Sequence, residues 1–200
     1  MTRIIGGAAR GRRLAVPARG TRPTSDRVRE SLFSSLESDL HAEAGAWGDL
    51  VVLDLFAGSG ALGLESLSRG ARSVHLVESD RGAARTLREN AATVGLPGVH
   101  VHVRRVESLP SLDPPLGGAS LVLVDPPYDV ASSVVAGLLE RLSGVGWIQE
   151  DARVVVERPT RDPKDPLPQG WTSIPRRPFG DTSLWYGRAV GGRQSPEEGS

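Results

Sequence analysis

Four consecutive residues, Asp125-Pro126-Pro127-Tyr128, follow a buried-type apolar run at 121–124. Two successive prolines fix the backbone and lack amide donors, so the carbonyls of Asp125 and Pro126 can be held outward as acceptors. A carboxylate and a rigid carbonyl can accept both hydrogens of a planar exocyclic amine and stabilise positive charge that develops on its nitrogen. Tyr128 offers an aromatic face for a nucleobase. The sequence predicts a site that orients a base amine for group transfer.

A glycine-rich turn is the second element that could do chemistry. Gly58, Gly60 and Gly63 follow the apolar run 51–55, and Glu78 ends a second apolar run. Glycine lets the backbone turn sharply, and a helix that begins near Gly60 directs free N–H groups at the turn. A carboxylate after the second strand can accept two hydrogen bonds from a ribose diol. This spacing alone leaves NAD and S-adenosylmethionine open.

Asp54 and Phe56 lie in the same turn region and favour S-adenosylmethionine. A carboxylate there suits a ligand that carries a sulfonium and an amino group, whereas it would repel a pyrophosphate. An NAD(P)-dependent oxidoreductase remains the alternative from another class of enzyme.

Strands and helices alternate from residue 51 onward, as the two motifs require. The predicted strands are 51–55, 73–77, 99–103, 120–124 and 153–157, and the predicted helices are 60–68, 81–94 and 131–142. Two later runs, 171–175 and 182–187, are too close for a helical crossover and predict a terminal hairpin. We therefore expect an α/β fold with a doubly wound, mostly parallel, seven-stranded sheet of the Rossmann-like class. Ligand chemistry in such a sheet lies at the carboxyl ends of the strands.

Charge is unevenly distributed although the net charge of the 200 residues is zero. Residues 1–30 hold eight arginines against Asp26 and Glu30, a charge of +6, and the remaining 170 residues carry 16 basic and 22 acidic side chains, a charge of −6. A basic arm on an acidic body favours a polyanion that docks at one end, with a solvated, solubilising arm as the alternative. The arginines that could contact such a polyanion are Arg3, Arg10, Arg12, Arg13, Arg22, Arg27 and Arg29.

The basic arm predicts a small β-hairpin from segments 3–7 and 13–17, followed by a helix capped at Thr24 or Ser25. Apolar residues recur every four positions in that helix, at Val28, Leu32, Leu36 and Leu40. We expect three parts: a basic hairpin and helix (1–42), a catalytic α/β domain (43–190) and a disordered tail (191–200).

The motifs carry a family resemblance. Asp125-Pro126-Pro127-Tyr128 together with the Asp-Leu-Phe-Ala-Gly-Ser-Gly run at 54–60 resembles class I S-adenosylmethionine-dependent methyltransferases that act on exocyclic amines of bases. Segments 3–7, 22–33 and 179–182 make the chain similar to the RsmD family over residues 1–188. Members of that family are 16S ribosomal RNA guanine-N2 methyltransferases of the bacterial small subunit.

The resemblance implies roles for individual residues. Asp54, Phe56, Gly58 and Gly60 would hold the methionine end of the cofactor, and Glu78 its ribose. Residues 125–128 would hold the target guanine, and the arginine-rich arm and the following helix would hold RNA. The residue that contacts the adenine is left between Glu107 and main-chain groups near Val106.

Other classes of site and of protein are less well supported. Four scattered histidines do not suggest a metal site, and the absence of cysteine favours a reducing compartment. No apolar run reaches the roughly 20 residues of a membrane span, so we expect a cytoplasmic protein without a membrane partner. Nothing in the sequence demands more than a monomer. The family resemblance implies 16S RNA in an assembling 30S subunit as the partner. A DNA adenine-N6 methyltransferase, a protein glutamine methyltransferase and a non-catalytic RNA-binding assembly factor remain alternatives.

Overall fold

The computed structural model describes residues 2–17 and 25–190, so Arg22 and the predicted tail lie outside the described residues. The strands are β1 (Thr2–Arg3), β2 (Arg13–Leu14), β3 (Val51–Leu55), β4 (Ser73–Glu78), β5 (Val99–Val103), β6 (Ala119–Val124), β7 (Ile148–Pro159), β8 (Thr172–Phe179) and β9 (Thr182–Arg188). The α-helices are α1 (Asp26–Ala42), α2 (Ala61–Ser68), α3 (Arg81–Val94) and α4 (Ser132–Gly144). Two short 3-10 helices span Trp47–Asp49 and Val106–Ser111.

Seven strands form one sheet in the order β5-β4-β3-β6-β7-β9-β8. Strands β3 to β7 pair in parallel, whereas β9 pairs antiparallel with both β7 and β8. All six residues of β6 are buried, because helices cover both faces of the centre of the sheet. Leu53 and Val122 belong to one apolar cluster with α4, while Val52 and Leu121 belong to another with α1, α2 and α3. The predicted doubly wound α/β architecture is confirmed.

Strand β7 is the largest departure from the predicted elements, because it begins at Ile148 rather than at residue 153. Its first part contains the polar run 149–151, which does not look like a buried strand. Asp151 has a positive φ of 60°, and the pairing with β6 shifts register between Ala119 and Leu121. The irregularity turns the polar residues away from the core, so their polarity does not prevent pairing.

The N-terminal hairpin is shorter than predicted, with Thr2 opposite Leu14 and Arg3 opposite Arg13. Ile4 and Leu14 are fully buried in the same cluster as Val28 of α1 and the central sheet. The hairpin, α1 and the sheet therefore share one core. Within the described ranges, no helix has both the length and the apolar character to cross a membrane.

Glu65 of α2 attaches the N-terminal segment to the main sheet layer. Its carboxylate is fully buried and accepts hydrogen bonds from the backbone N–H groups of Ile5 at 2.7 Å and Gly6 at 2.8 Å. The Nε of Arg69 donates to the same carboxylate at 2.9 Å. A buried carboxylate with three donors is well satisfied, so this contact fixes the segment in place.

Candidate active site

The loops after β3 and β6 open into one cavity. Leu55 and Val124 are opposite each other in parallel strands, so Phe56 and Asp125 leave the sheet as neighbours. The backbone N–H of Asp125 donates to the carbonyl oxygen of Leu55 at 3.4 Å. The cavity has a volume of about 300 Å³, and the residues of the two motifs that line it are Asp54, Phe56, Ala57, Gly58, Ser59, Asp125 and Pro127.

The turn after β3 depends on left-handed backbone conformations. Gly58 has a φ of 55° and Gly60, which caps α2, a φ of 77°. Phe56 has a φ of 62°, a conformation that is uncommon for non-glycine residues and that concentrates at functional sites. Gly63 is needed for a different reason, because a Cβ there would lie 2.3 Å from Cδ2 of Leu76. The third glycine therefore permits close packing of α2 on the sheet.

Asp54 is the most electrostatically perturbed group in the cavity. Its side chain is buried, and its Oδ2 accepts a hydrogen bond from the backbone N–H of Gly63 at 2.9 Å. Burial raises the pKa of Asp54 to about 7, and the negative charge of Glu78 adds to that rise, whereas the hydrogen bond from Gly63 opposes it. A cation bound beside Asp54 would favour the ionised form.

Glu78 organises the turn with both of its carboxylate oxygens. One accepts a hydrogen bond from the N–H of Gly58 at 2.9 Å, and the other accepts one from the N–H of Asp80 at 2.7 Å. Asp80 in turn caps α3, because its Oδ1 accepts from the N–H of Ala83 at 2.7 Å. A carboxylate has about four lone-pair sites, so Glu78 keeps capacity for hydroxyl donors of a ligand.

Three of the four residues of the amine-binding motif line cavities, and they divide between two of them. Asp125 and Pro127 line the cavity described above, whereas Tyr128 lines a second one of about 470 Å³ with residues 159–161 and 180–181. The Tyr128 hydroxyl lies 3.4 Å from the hydroxyl of Thr182, and Thr182 donates to Glu157 at 3.3 Å. The Tyr128 side chain is exposed, so its ring is accessible to a base. Pro126 lines neither cavity, and its proposed role depends on its carbonyl.

The two candidates for adenine contact do not lie in the cavity wall. Val106 is buried in the apolar cluster that includes α4. Glu107 forms an ion pair with Arg105 at 3.3 Å, and its own backbone N–H and then Arg105 lower its pKa. Instead, the cavity wall after Glu78 contains Ser79, the α3 cap residue Asp80, and Ala83 in the first turn of α3.

Five of the six described arginines of the basic arm are exposed, and one of these five, Arg12, also contacts α3. Arg3, Arg10, Arg13 and Arg27 are exposed, as an RNA contact requires, and their RNA-binding role stays a prediction. The Nη1 of Arg12, also an exposed residue, donates to the carbonyl oxygens of Thr93 and Val94, both at 2.5 Å. Arg12 therefore stabilises the carboxyl end of α3, where backbone acceptors lack helical partners.

Arg29 does not occupy the exposed position expected of it. Its side chain is fully buried, and it lines the 300 Å³ cavity together with Thr2. The apolar spacing of α1 placed Arg29 beside the buried row, but Arg29 and Phe33 are buried as well. Arg29 contacts Thr2 and Arg3 of the N-terminal strand. Its burial contradicts the exposed surface position that the sequence predicted, so Arg29 is corrected from a surface arginine to a residue of the cavity wall.

Sequence reasoning did not identify the part of the wall that the N-terminal segment supplies. Thr2, Val16 and Pro17 line the cavity opposite the glycine turn. Asn90 of α3 connects the N-terminal segment to the glycine turn, because its amide nitrogen donates to the carbonyl oxygens of Ala15 and Ser59, both at 2.9 Å. No local pattern reveals a contact between residues 75 positions apart, although the apolar residues of the arm indicated that it packs against something.

The lining residues fit S-adenosylmethionine. The cavity is large enough for a small ligand, and Asp54, Glu78, Asp80 and Asp125 are among its lining residues. This acidic wall suits a molecule that carries a sulfonium and an ammonium. The same set of carboxylates is unfavourable for a pyrophosphate. Glu78, placed at the carboxyl end of β4, suits a ribose diol.

Three of the four histidines, His75, His100 and His102, form a stack rather than a scattered set. Nδ1 of His75 lies 3.1 Å from Nε2 of His102, and the rings of His75 and His100 are stacked with centroids 4.6 Å apart. Burial, followed by the neighbouring histidines, lowers the pKa of His75 to about 4. Among residues 2–17 and 25–190, no three His, Cys, Asp or Glu side chains are arranged to hold a metal ion.

Three comparisons relate the chain to known proteins. The model of the family described as Conserved hypothetical protein 95 matches residues 2–188. Ribosomal RNA small subunit methyltransferase D of Escherichia coli (strain K12) is 39% identical over 175 residues, which cover 85% of this chain and 81% of the relative. The solved structure of yhhF from Escherichia coli aligns with a TM-score of 0.77 and 31% identity, and it covers 96% of this chain and 99% of that one.

A more distant solved structure shows the same fold. It is an RNA methyltransferase from Salinibacter ruber in complex with S-adenosyl-L-homocysteine, with a TM-score of 0.60 and 17% identity. The alignment covers 88% of this chain and 98% of that one.

Proposed function

We propose, since this chain belongs to the RsmD family described as Conserved hypothetical protein 95, that it transfers the methyl group of S-adenosylmethionine to the exocyclic N2 amine of a guanine in 16S ribosomal RNA. The name of the 39% identical relative supports methyl transfer to ribosomal RNA of the small subunit. The choice of a guanine and of its N2 amine goes further than that name. It rests on the chemistry of the amine-binding motif at 125–128.

The single observation that carries the proposal is the shared cavity of the two loops. Asp54 and Gly58 from one loop and Asp125 from the other line the same volume, so a donor and an acceptor can meet above adjacent strand ends. S-adenosylmethionine supplies, when bound, an electrophilic methyl group on a sulfonium. Asp125 and the carbonyl of Pro126 accept the amine hydrogens and orient its nitrogen for direct in-line attack.

The remaining residues act by position and charge. Asp54 lies where a carboxylate favours the cationic end of the cofactor, and Glu78 lies where it can accept from the ribose hydroxyls. Tyr128 presents its ring beside the second cavity, where an extruded base can stack. No covalent enzyme intermediate is needed, because the amine itself attacks the methyl group.

The proposal includes a partner and a setting. The substrate is 16S RNA in an assembling 30S subunit, contacted by the exposed arginines of the N-terminal arm, and the protein acts as a cytoplasmic monomer. Arginine suits this contact, since its planar guanidinium binds phosphate oxygens and stacks on bases.

The test is incubation of the protein with labelled S-adenosylmethionine and either unmodified 30S particles or free 16S RNA, followed by nucleoside analysis. The expected product is N2-methylguanosine at one position. N6-methyladenosine, methylglutamine in ribosomal protein, or no label in any substrate would contradict the proposal. Asp125→Ala should abolish transfer in a single turnover while S-adenosylhomocysteine still binds; retained transfer would remove Asp125 from its role.

A further inference from the structure

Arg29 has more hydrogen-bonding capacity than the folded chain uses. Its Nη2 lies 2.7 Å from the hydroxyl of Thr2, 2.8 Å from the carbonyl oxygen of Arg3 and 2.6 Å from Oδ1 of Asp26. Its Nε and Nη1 are buried and have no hydrogen-bond partner among the described residues. A buried charged group with unused donors is unfavourable, and native structures rarely leave one without a purpose.

The position of Arg29 limits what those donors can bind. Arg29 lines the cavity next to the glycine turn, and it is the only arginine, lysine or histidine among the described lining residues. The acidic residues in the same wall are Asp54, Glu78, Asp80 and Asp125. A ligand with separate positive and negative groups would match this wall, with its cationic part near the acids and its anionic part near Arg29.

We infer that Arg29 binds the α-carboxylate of the methionine portion of S-adenosylmethionine. The inference rests on the proposed function, since that function supplies a zwitterionic amino acid group to this end of the cavity. Arginine is well suited to a buried carboxylate, because its guanidinium is permanently charged and presents several fixed donors. The helix that resembled an RNA-binding element thus contributes a cofactor-binding residue.

The contacts of Nη2 separate this role from a purely structural one. Thr2, Arg3 and Asp26 engage only that nitrogen, and they hold the guanidinium in place from the side of the N-terminal strand. The Asp26 carboxyl is about half exposed, so its ion pair with Arg29 is screened on one side. A second anion in the cavity would satisfy the donors that the fold leaves unused.

The first measurement needs no variant. Calorimetry compares the wild-type protein with S-adenosylhomocysteine and with its decarboxylated analogue, which keeps the amine, the thioether and the adenosine. We expect the analogue to bind about 30-fold more weakly or worse, since it leaves a buried arginine unpaired. Equal affinities would overturn the role of Arg29, whereas failure of the wild type to bind either ligand would overturn the proposed function as well.

The second measurement assigns the preference to Arg29. In Arg29→Met we expect affinity for S-adenosylhomocysteine to fall by about 30-fold while affinity for the analogue changes less than about threefold, and Arg29→Lys should recover part of the preference. Arg158→Met is the matched control, because Arg158 is also buried with an unpartnered Nε and Nη1 but does not line this cavity. It should keep the preference for the carboxylated ligand.

Two results would overturn the inference while leaving the function intact. One is a preference for the carboxylate that survives in Arg29→Met. The other is an equal loss of affinity for both ligands in Arg29→Met, which indicates a structural effect.

Discussion

Cofactor affinity should depend on pH through Asp54. In the free protein the pKa of Asp54 is raised to about 7 by burial, so at pH 6 the cavity holds a neutral carboxyl group. A sulfonium and an ammonium beside it favour the carboxylate, and binding at pH 6 must therefore release a proton. At pH 8 about nine in ten molecules already carry the carboxylate, so only about a tenth of a proton is released from this group.

The magnitude follows from the pKa of the free protein. If the bound form titrates well below pH 6, the fraction of protein ready to bind is about one in eleven at pH 6 and about nine in ten at pH 8. We therefore expect Kd for S-adenosylmethionine to rise about tenfold from pH 8 to pH 6. Calorimetry in buffers with different ionisation enthalpies should detect a release that approaches one proton at pH 6.

The control is Asp54→Asn, which keeps the shape and removes the titration. The amino group of the ligand titrates with either protein, so only the difference between them belongs to Asp54. A Kd that does not change between pH 6 and pH 8, or an equal pH dependence in Asp54→Asn, would refute the reasoning.

Three further outcomes concern stability. Gly63→Ala should lower the free energy of unfolding by about 1–3 kcal/mol in urea, because its Cβ would overlap Leu76, whereas Gly137→Ala in α4, with nothing within 4 Å, should be neutral or slightly stabilising. Glu65→Gln should lower the free energy of unfolding by about 2–4 kcal/mol and should expose the N-terminal segment to protease. The reason is that one amide oxygen cannot replace a carboxylate that accepts from two backbone N–H groups and Arg69. Unchanged protease resistance would contradict this. The folded pKa of His75 lies near 4, below its ordinary 6.5, so the stabilisation that neutral His75 gives the fold is fully present above pH 6.5 and is lost as the pH falls toward 4. Thermal unfolding between pH 7 and pH 4 should therefore show a smaller loss of stability in His75→Phe than in wild type.

Sequence patterns predicted the central part of the fold because its signals are local. The apolar run of β3 and the strand period of β5 reproduce the observed bounds, and the glycines mark the turn after β3 because they supply its positive φ angles. The end of β6 could likewise be located from its prolines. Parallel pairing then required both loops to open at one edge.

The remaining features depend on contacts distant in sequence. Arg29 looked exposed because only one apolar row of α1 is visible in the pattern, whereas Arg29 is buried in contact with Thr2 and Arg3 of the N-terminal strand. The polar start of β7 pairs through a register shift that no periodicity reveals. The contact with the adenine was assigned to Val106 and Glu107 by resemblance, and neither lines the cavity.

The attachment of the N-terminal segment to Glu65 and Asn90 has a practical consequence for deletion experiments. Removing residues 2–17 would take away Thr2, Val16 and Pro17 from the wall around the cofactor, along with the arginines of the hairpin. Loss of activity in such a shortened protein would therefore not report on RNA alone. Point substitutions of exposed arginines such as Arg10 and Arg13 leave the wall intact, and they are the appropriate way to separate the two effects.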